Sequence, residues 1–183
     1  MKHNIYILLL AITIGFTQCC KEKPACSNDN NIPGLPPVTQ TGANTLGFLL
    51  NGVPWTPAGN YGTANLSISF DPGINNGVFG ISAYKYTAGK KSSFGIGVSD
   101  SLNFLAIPFT RLLNPTSIFS ASFSKIDSCI LDSYYDSVFS SGHLKILRLD
   151  RIQRIISGEF DFKLSGLGCD TVFVTQGRFD MKF

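Results

Sequence analysis

Five carboxylates are the first candidates for chemistry. Asp127, Asp132 and Asp136 surround the pair Tyr134–Tyr135, and Glu159 and Asp161 stand two residues apart in "GEFDF". Two carboxylates facing one cavity can serve as acid and base in hydrolysis. Several oxygens converging could hold Ca²⁺. The spacing favours a plainer outcome, because Asp132 and Asp136 would share one solvated strand face. His143 lies beside Ser140 and Ser141, the residue types of a nucleophile and its base. No G-x-S-x-G motif frames a serine, and a histidine just after Gly142 reads as a surface residue. No catalytic residue, metal ligand or cofactor site is expected. Hydrolysis of envelope or dietary polymers by a carboxylate pair is the alternative function. Aromatic side chains offer another kind of site. Trp55, Tyr61, Tyr84, Tyr86, Tyr134 and Tyr135 could form a sugar platform or a partner surface. Tyr84 and Tyr86 share one face of "VFGISAYKY", opposite Phe79 and Ile81.

The elements that must carry these groups are strands. "NLSISFD" sets Leu66, Ile68 and Phe70 against Ser67, Ser69 and Asp71. "SFGIGVS" does the same with Phe94, Ile96 and Val98, and "IFSASFS" with Phe119, Ala121 and Phe123. Alternation of period two marks half-buried strands. Turn residues punctuate them: "NG" at 51–52, "DPG" at 71–73, "NNG" at 75–77, "AGKK" at 88–91 and "LNP" at 113–115. Near the end, Gly158, Phe160, Phe162 and Leu164 are expected inward, with Ser157, Glu159, Asp161 and Lys163 outward. The last strand is expected to turn Phe173, Gly177, Phe179, Met181 and Phe183 inward and Gln176, Arg178, Asp180 and Lys182 outward. Gly158 and Gly177, inside strand patterns, predict bulges or close backbone approach. The fold class is all-β: an antiparallel sandwich or barrel of about 8–10 strands.

The front of the chain concerns location. Lys2 and His3 precede the apolar run "IYILLLAITIGF", Ile5 to Phe16. A basic tip, a short apolar core and a polar exit compose a secretory signal. The run falls short of the ~20 residues that cross a bilayer. "FTQ" before Cys19 lacks the small residues of an ordinary cleavage site. "TQCCKEKP" instead resembles lipoprotein starts of Bacteroidota, in which a cysteine takes lipid and becomes the new N-terminus. That resemblance implies lipid on Cys19 or Cys20, and the residues leave both open. It divides the chain into a signal at 1–18, a flexible tether at 19–44 and a single β domain at 45–183. The tether expectation comes from composition: Pro, Gly, Asn and Asp without periodicity. Neither site places Asp after the cysteine, so the outer membrane is the expected address, facing the periplasm or the surface.

Cys129 and Cys169 then belong to an exported domain, where disulfides persist. A plain meander would put them at opposite ends of one sheet. Two packed sheets could bring them together, so a disulfide and two buried thiols both stay open. Cys26 reads as a thiol of the tether. The sequence holds no CxxC or His cluster, which argues against a redox or metal role.

Charge narrows the partners. The net charge is +3, or +2 once Lys2 is lost with the signal, and the basic residues are scattered. Nucleic-acid binding would want a basic stripe, so none is expected. The segment "NTLGFLLNGVPWTP", with its N-G-x-x-W, and the downstream "IISGEFDFKL" and "CDTVFVTQGRFDMKF", with its G-R-F-D, resemble an uncharacterised lipoprotein family of Bacteroidota. The resemblance covers both ends of the domain. It implies an all-β fold, a membrane partner through the lipid anchor, and no assigned activity. The expected function is a non-enzymatic, lipid-anchored outer-membrane β domain that binds a protein or glycan, or serves a structural role.

Overall fold

A computed structural model describes residues 32–114, 116–125 and 129–183. Cys19, Cys20, Cys26, Asp127 and the signal segment lie outside the described residues. Among the described residues eleven strands form two antiparallel sheets. The first sheet has the order β2-β1-β11-β10-β9-β6. Its strands are β1 (Thr45–Leu50), β2 (Val53–Trp55), β6 (Phe109–Leu113), β9 (Val138–Asp150), β10 (Ile155–Gly166) and β11 (Val172–Lys182). The second has the order β3-β4-β5-β7-β8. Its strands are β3 (Leu66–Asp71), β4 (Val78–Thr87), β5 (Lys90–Val98), β7 (Phe119–Lys125) and β8 (Cys129–Asp132). The sheets pack as a β-sandwich and do not close into a barrel.

Both inner faces follow the alternation. Phe79, Ile81, Phe94, Ile96, Val98, Phe119, Ala121 and Phe123 are buried against Phe48, Leu144, Ile146, Phe160, Phe162 and Leu164. Phe48 sits at the centre, with its ring 4.7 Å from those of Trp55 and Phe94. Offset aromatic contacts of this kind add to burial by about 0.5–1.5 kcal/mol per pair. Trp55 is therefore core rather than platform, and its indole N–H donates to Ser92 Oγ at 2.9 Å. Asn51 and Gly52 both take positive φ (49° and 83°) in the two-residue turn between β1 and β2, the conformation Asn-Gly favours.

Gly158 and Gly177 sit beside bulges. The β9–β10 ladder shifts between Ser157 and Gly158. A Cβ on Gly158 would lie 2.4 Å from the Lys145 carbonyl. The β10–β11 ladder runs Phe160↔Gly177 and then Phe162↔Val174, so β11 holds one extra residue there. A Cβ on Gly177 would meet the Phe160 ring at 2.4 Å. That extra residue, near Gln176 at φ 55°, reverses the alternation. Val172 and Val174 point into the core, and Phe173, expected inward, is exposed.

A second departure concerns residues 32–44, expected to be tether. They lie along the outer face of β1 and β11. Leu35 is buried, Gly34 meets Pro54, and Pro36 presses on Gly47 so closely that a Cβ there would stand 2.5 Å from it. Arg178 and Asp180, on the outer face as expected, are thereby covered rather than solvated.

Candidate functional site

Serine and glycine dominate the middle of the second sheet's outer face. The ladders align them in rows across the strands. One row runs Ser67–Ser82–Gly95–Ser122–Asp132, and the next Ser69–Gly80–Gly97–Ser120. A third runs Tyr84–Ser93–Ser124–Ile130, and beyond it Tyr86 pairs with Lys91. The same alternation that points Phe and Ile inward points these small residues outward. Short side chains leave the face hollow. Two adjoining depressions of about 410 and 450 Å³ share Ser82, Gly95, Ser122 and Asp132.

The hydroxyls in this trough are available. Ser67 and Ser69 reach only long bonds, 3.5 and 3.4 Å, to the carbonyls of Ser82 and Gly80. Those of Ser82, Ser93, Ser120, Ser122 and Ser124 make no hydrogen bond among the described residues. Each can both donate and accept. Aromatic groups and a cation close one end. The Lys91 amine lies 4.5 Å from the Tyr61 ring centre and 5.1 Å from that of Tyr84. The Tyr61 and Tyr86 rings are 5.1 Å apart. Tyr84 is buried, its hydroxyl donating to the Thr63 carbonyl and accepting from the Tyr61 N–H. Tyr61 and Tyr86 are thus the more accessible rings. Tyr134 and Tyr135 stand apart from them, exposed in the turn after β8.

The acid–base candidates among the described residues do not gather. Asp132 lines the trough, and one of its carboxylate oxygens accepts the Tyr134 N–H at 3.0 Å. Asp136 is exposed in the following turn. Glu159 and Asp161 belong to the other sheet, on its outer face, where Lys145 and His143 answer them at 4.0 and 3.0 Å. His143 is therefore a cross-strand partner, and neither Ser140 nor Ser141 bonds to it. Among the described residues no group of three or more His, Cys, Asp or Glu could hold a metal.

Cys129 and Cys169 are joined in a disulfide, with Cα atoms 5.8 Å apart. The two-sheet arrangement places the start of β8 beside the turn between β10 and β11. The bond ties the second sheet to the first.

The other polar site is structural. Asp180 is 1 % exposed. Its carboxylate accepts from the Thr39 hydroxyl (2.6 Å) and from the N–H groups of Thr41, Gly42 and Ala43 (2.8, 2.7 and 3.2 Å). Burial alone would raise its pKa. The hydrogen bonds outweigh burial and hold it below the ordinary carboxylate range. The Arg148 guanidinium donates to the Gln40 carbonyl and to Asp150. The G-R-F-D segment is so explained residue by residue: a bulge glycine, a covered Arg178, a core Phe179 and a caged Asp180.

A cleft of about 710 Å³ opens between β1 and the edge strand β3, lined by Leu46, Thr56, Leu66, Ile68 and Met181 among others. It carries no titratable group except Lys182.

No family model, curated protein or solved structure matches this chain.

Proposed function

We propose that this chain is a lipid-anchored, non-catalytic binding protein of the outer membrane, and that the serine trough takes an uncharged, hydroxyl-rich chain, a glycan. The trough's free hydroxyls carry the reading. They form a grid of paired donors and acceptors with strand spacing of about 4.8 Å, suited to a ligand that is itself a ladder of hydroxyls. Asp132 and Lys91 lie at its margins, so the floor offers a charged ligand little. Tyr61 and Tyr86 can stack on a sugar ring at one end. The anchor is supported by the signal-like front end and by its resemblance to Bacteroidota lipoproteins.

Two experiments test the halves separately. Metabolic labelling with a fatty-acid probe should mark the wild-type chain and not the Cys19/Cys20 double substitution. Unchanged labelling in the double variant would refute the anchor. A glycan array probed with the purified protein should show binding to neutral oligosaccharides over acidic ones. Binding confined to polyanions, or to no glycan, would refute the trough assignment.

A further inference from the structure

We infer that the domain rests on its own membrane, with the end bearing the β1–β2 and β10–β11 turns seated in the lipid headgroup layer. The inference rests on the lipid-anchor reading above. Its first support is where the chain enters the fold. Gly34 meets Pro54, the ladder partner of Leu49. Pro36 meets Gly47. Thr41, Gly42 and Ala43 reach Asp180, the partner of Thr45. The strap therefore runs down β1 from Leu49 toward Thr45 and turns back at Asn44. Ile32 lies at the Asn51–Gly52 end.

The spacer is correspondingly short. Eleven residues lie between Cys20 and Ile32, and the twelve Cα–Cα steps reach at most roughly 42 Å when fully extended. β10 alone, 12 residues long, spans roughly 37 Å from one end of the sandwich to the other. Seating the opposite end on the membrane would consume almost the whole spacer.

The surface at the entry end fits a bilayer interface. Val53, Phe139 and Phe173 are 65 %, 59 % and 48 % exposed, and Leu167 is fully exposed at the β10–β11 turn. Phe139 and Phe173 flank Lys163, which pairs with Phe173 in the ladder and whose amine lies 5.3 Å from the Phe173 ring and 5.5 Å from the Phe139 ring. Asn51 exchanges two hydrogen bonds with the Phe173 backbone. Aromatic rings around a lysine whose stem is apolar and whose head reaches phosphate suit the headgroup layer. Exposure and charge do not choose the end by themselves. The opposite end shows Ile74, Phe104 and Ile152, and basic residues occur at both. The entry point and the spacer length make the choice.

The test places one tryptophan at each end of the same strand pair. Leu167→Trp and Ile152→Trp are made in the full lipidated chain and reconstituted in phosphatidylethanolamine/phosphatidylglycerol vesicles carrying lipids brominated near the headgroup. The parent chain, with buried Trp55, gives the baseline. The Leu167→Trp emission should be quenched at least about twofold more than that of Ile152→Trp, and should shift to the blue. Equal quenching, stronger quenching of Ile152→Trp, or none in either would overturn the orientation while leaving the anchor standing. Absence of fatty-acid label on the chain would overturn the anchor, and the orientation with it.

Discussion

The outer face of the six-stranded sheet is covered over β1 and β11 by its own chain, whereas that of the five-stranded sheet is open. On the first, residues 32–44 lie over β1 and β11 and cage Asp180, while the hydroxyl of its buried ladder partner Ser157 has no hydrogen-bond partner among the described residues. Farther across the face Glu159 and Asp161 meet Lys145 and His143 at a half-exposed surface. On the second, five serine hydroxyls have no partner among the described residues, and the floor is too small-chained to pack anything of its own. The caged carboxylate of Asp180 contributes to stability, since leaving a buried group unpaired costs about 1–3 kcal/mol. An open face of exposed hydroxyls contributes little to stability and stays free for a ligand. Substitutions on the two faces should therefore separate stability from binding.

The largest effect is expected where the two sheets are tied together. The disulfide closes 40 residues. Replacing Cys129 and Cys169 by serine should cost about 4 kcal/mol in urea unfolding, and a loss under about 1 kcal/mol would mean the sheets hold each other without it. Next comes the strapped face. Asp180→Ala leaves three backbone N–H groups and two threonine hydroxyls without their acceptor. It should cost about 3 kcal/mol, and a neutral result would mean the strap is dispensable.

The same group sets a pH dependence. The folded pKa of Asp180 lies below its unfolded value, so its contribution is fully present above the unfolded pKa of about 3.9 and is lost as pH falls through the folded value. The difference in urea midpoint between wild type and Asp180→Asn should be flat from about pH 5 to 8 and close below about pH 4. Gly47→Val, which drives a side chain into Pro36, should cost about 1–3 kcal/mol by lifting the strap. The smallest effect belongs to the open face. Ser82→Ala with Ser122→Ala should change stability by less than about 0.5 kcal/mol per site, yet weaken glycan binding. Destabilisation beyond that would show these hydroxyls to be structural.

Much of the fold was legible because period-two alternation reports burial directly. "NLSISFD", "SFGIGVS" and "IFSASFS" became β3, β5 and β7 with the expected faces. Gly158 and Gly177 announced their bulges through the lack of a side chain. What alternation cannot report is a change of phase. The extra residue near Gln176 turned Phe173 outward, because a bulge shifts every side chain beyond it to the other face. The strap was also hidden, since residues 32–44 show neither period. The caging of Asp180 depends on contacts across about 140 positions of the chain. The trough was half visible. Each serine set could be read as a solvated strand face, but that four such faces align into one hollow depends on strand order and register. The disulfide was undecided for the same reason: only the division into two sheets brings β8 beside the β10–β11 turn.

The central claim is that the open serine face binds and the strapped face does not. Isothermal titration with the best neutral oligosaccharide from the array tests it directly, using Ser122→Phe to fill the trough and Phe173→Ser to alter the opposite face. Ser122→Phe should abolish measurable binding while Phe173→Ser binds as wild type. Undiminished affinity in Ser122→Phe would contradict the claim.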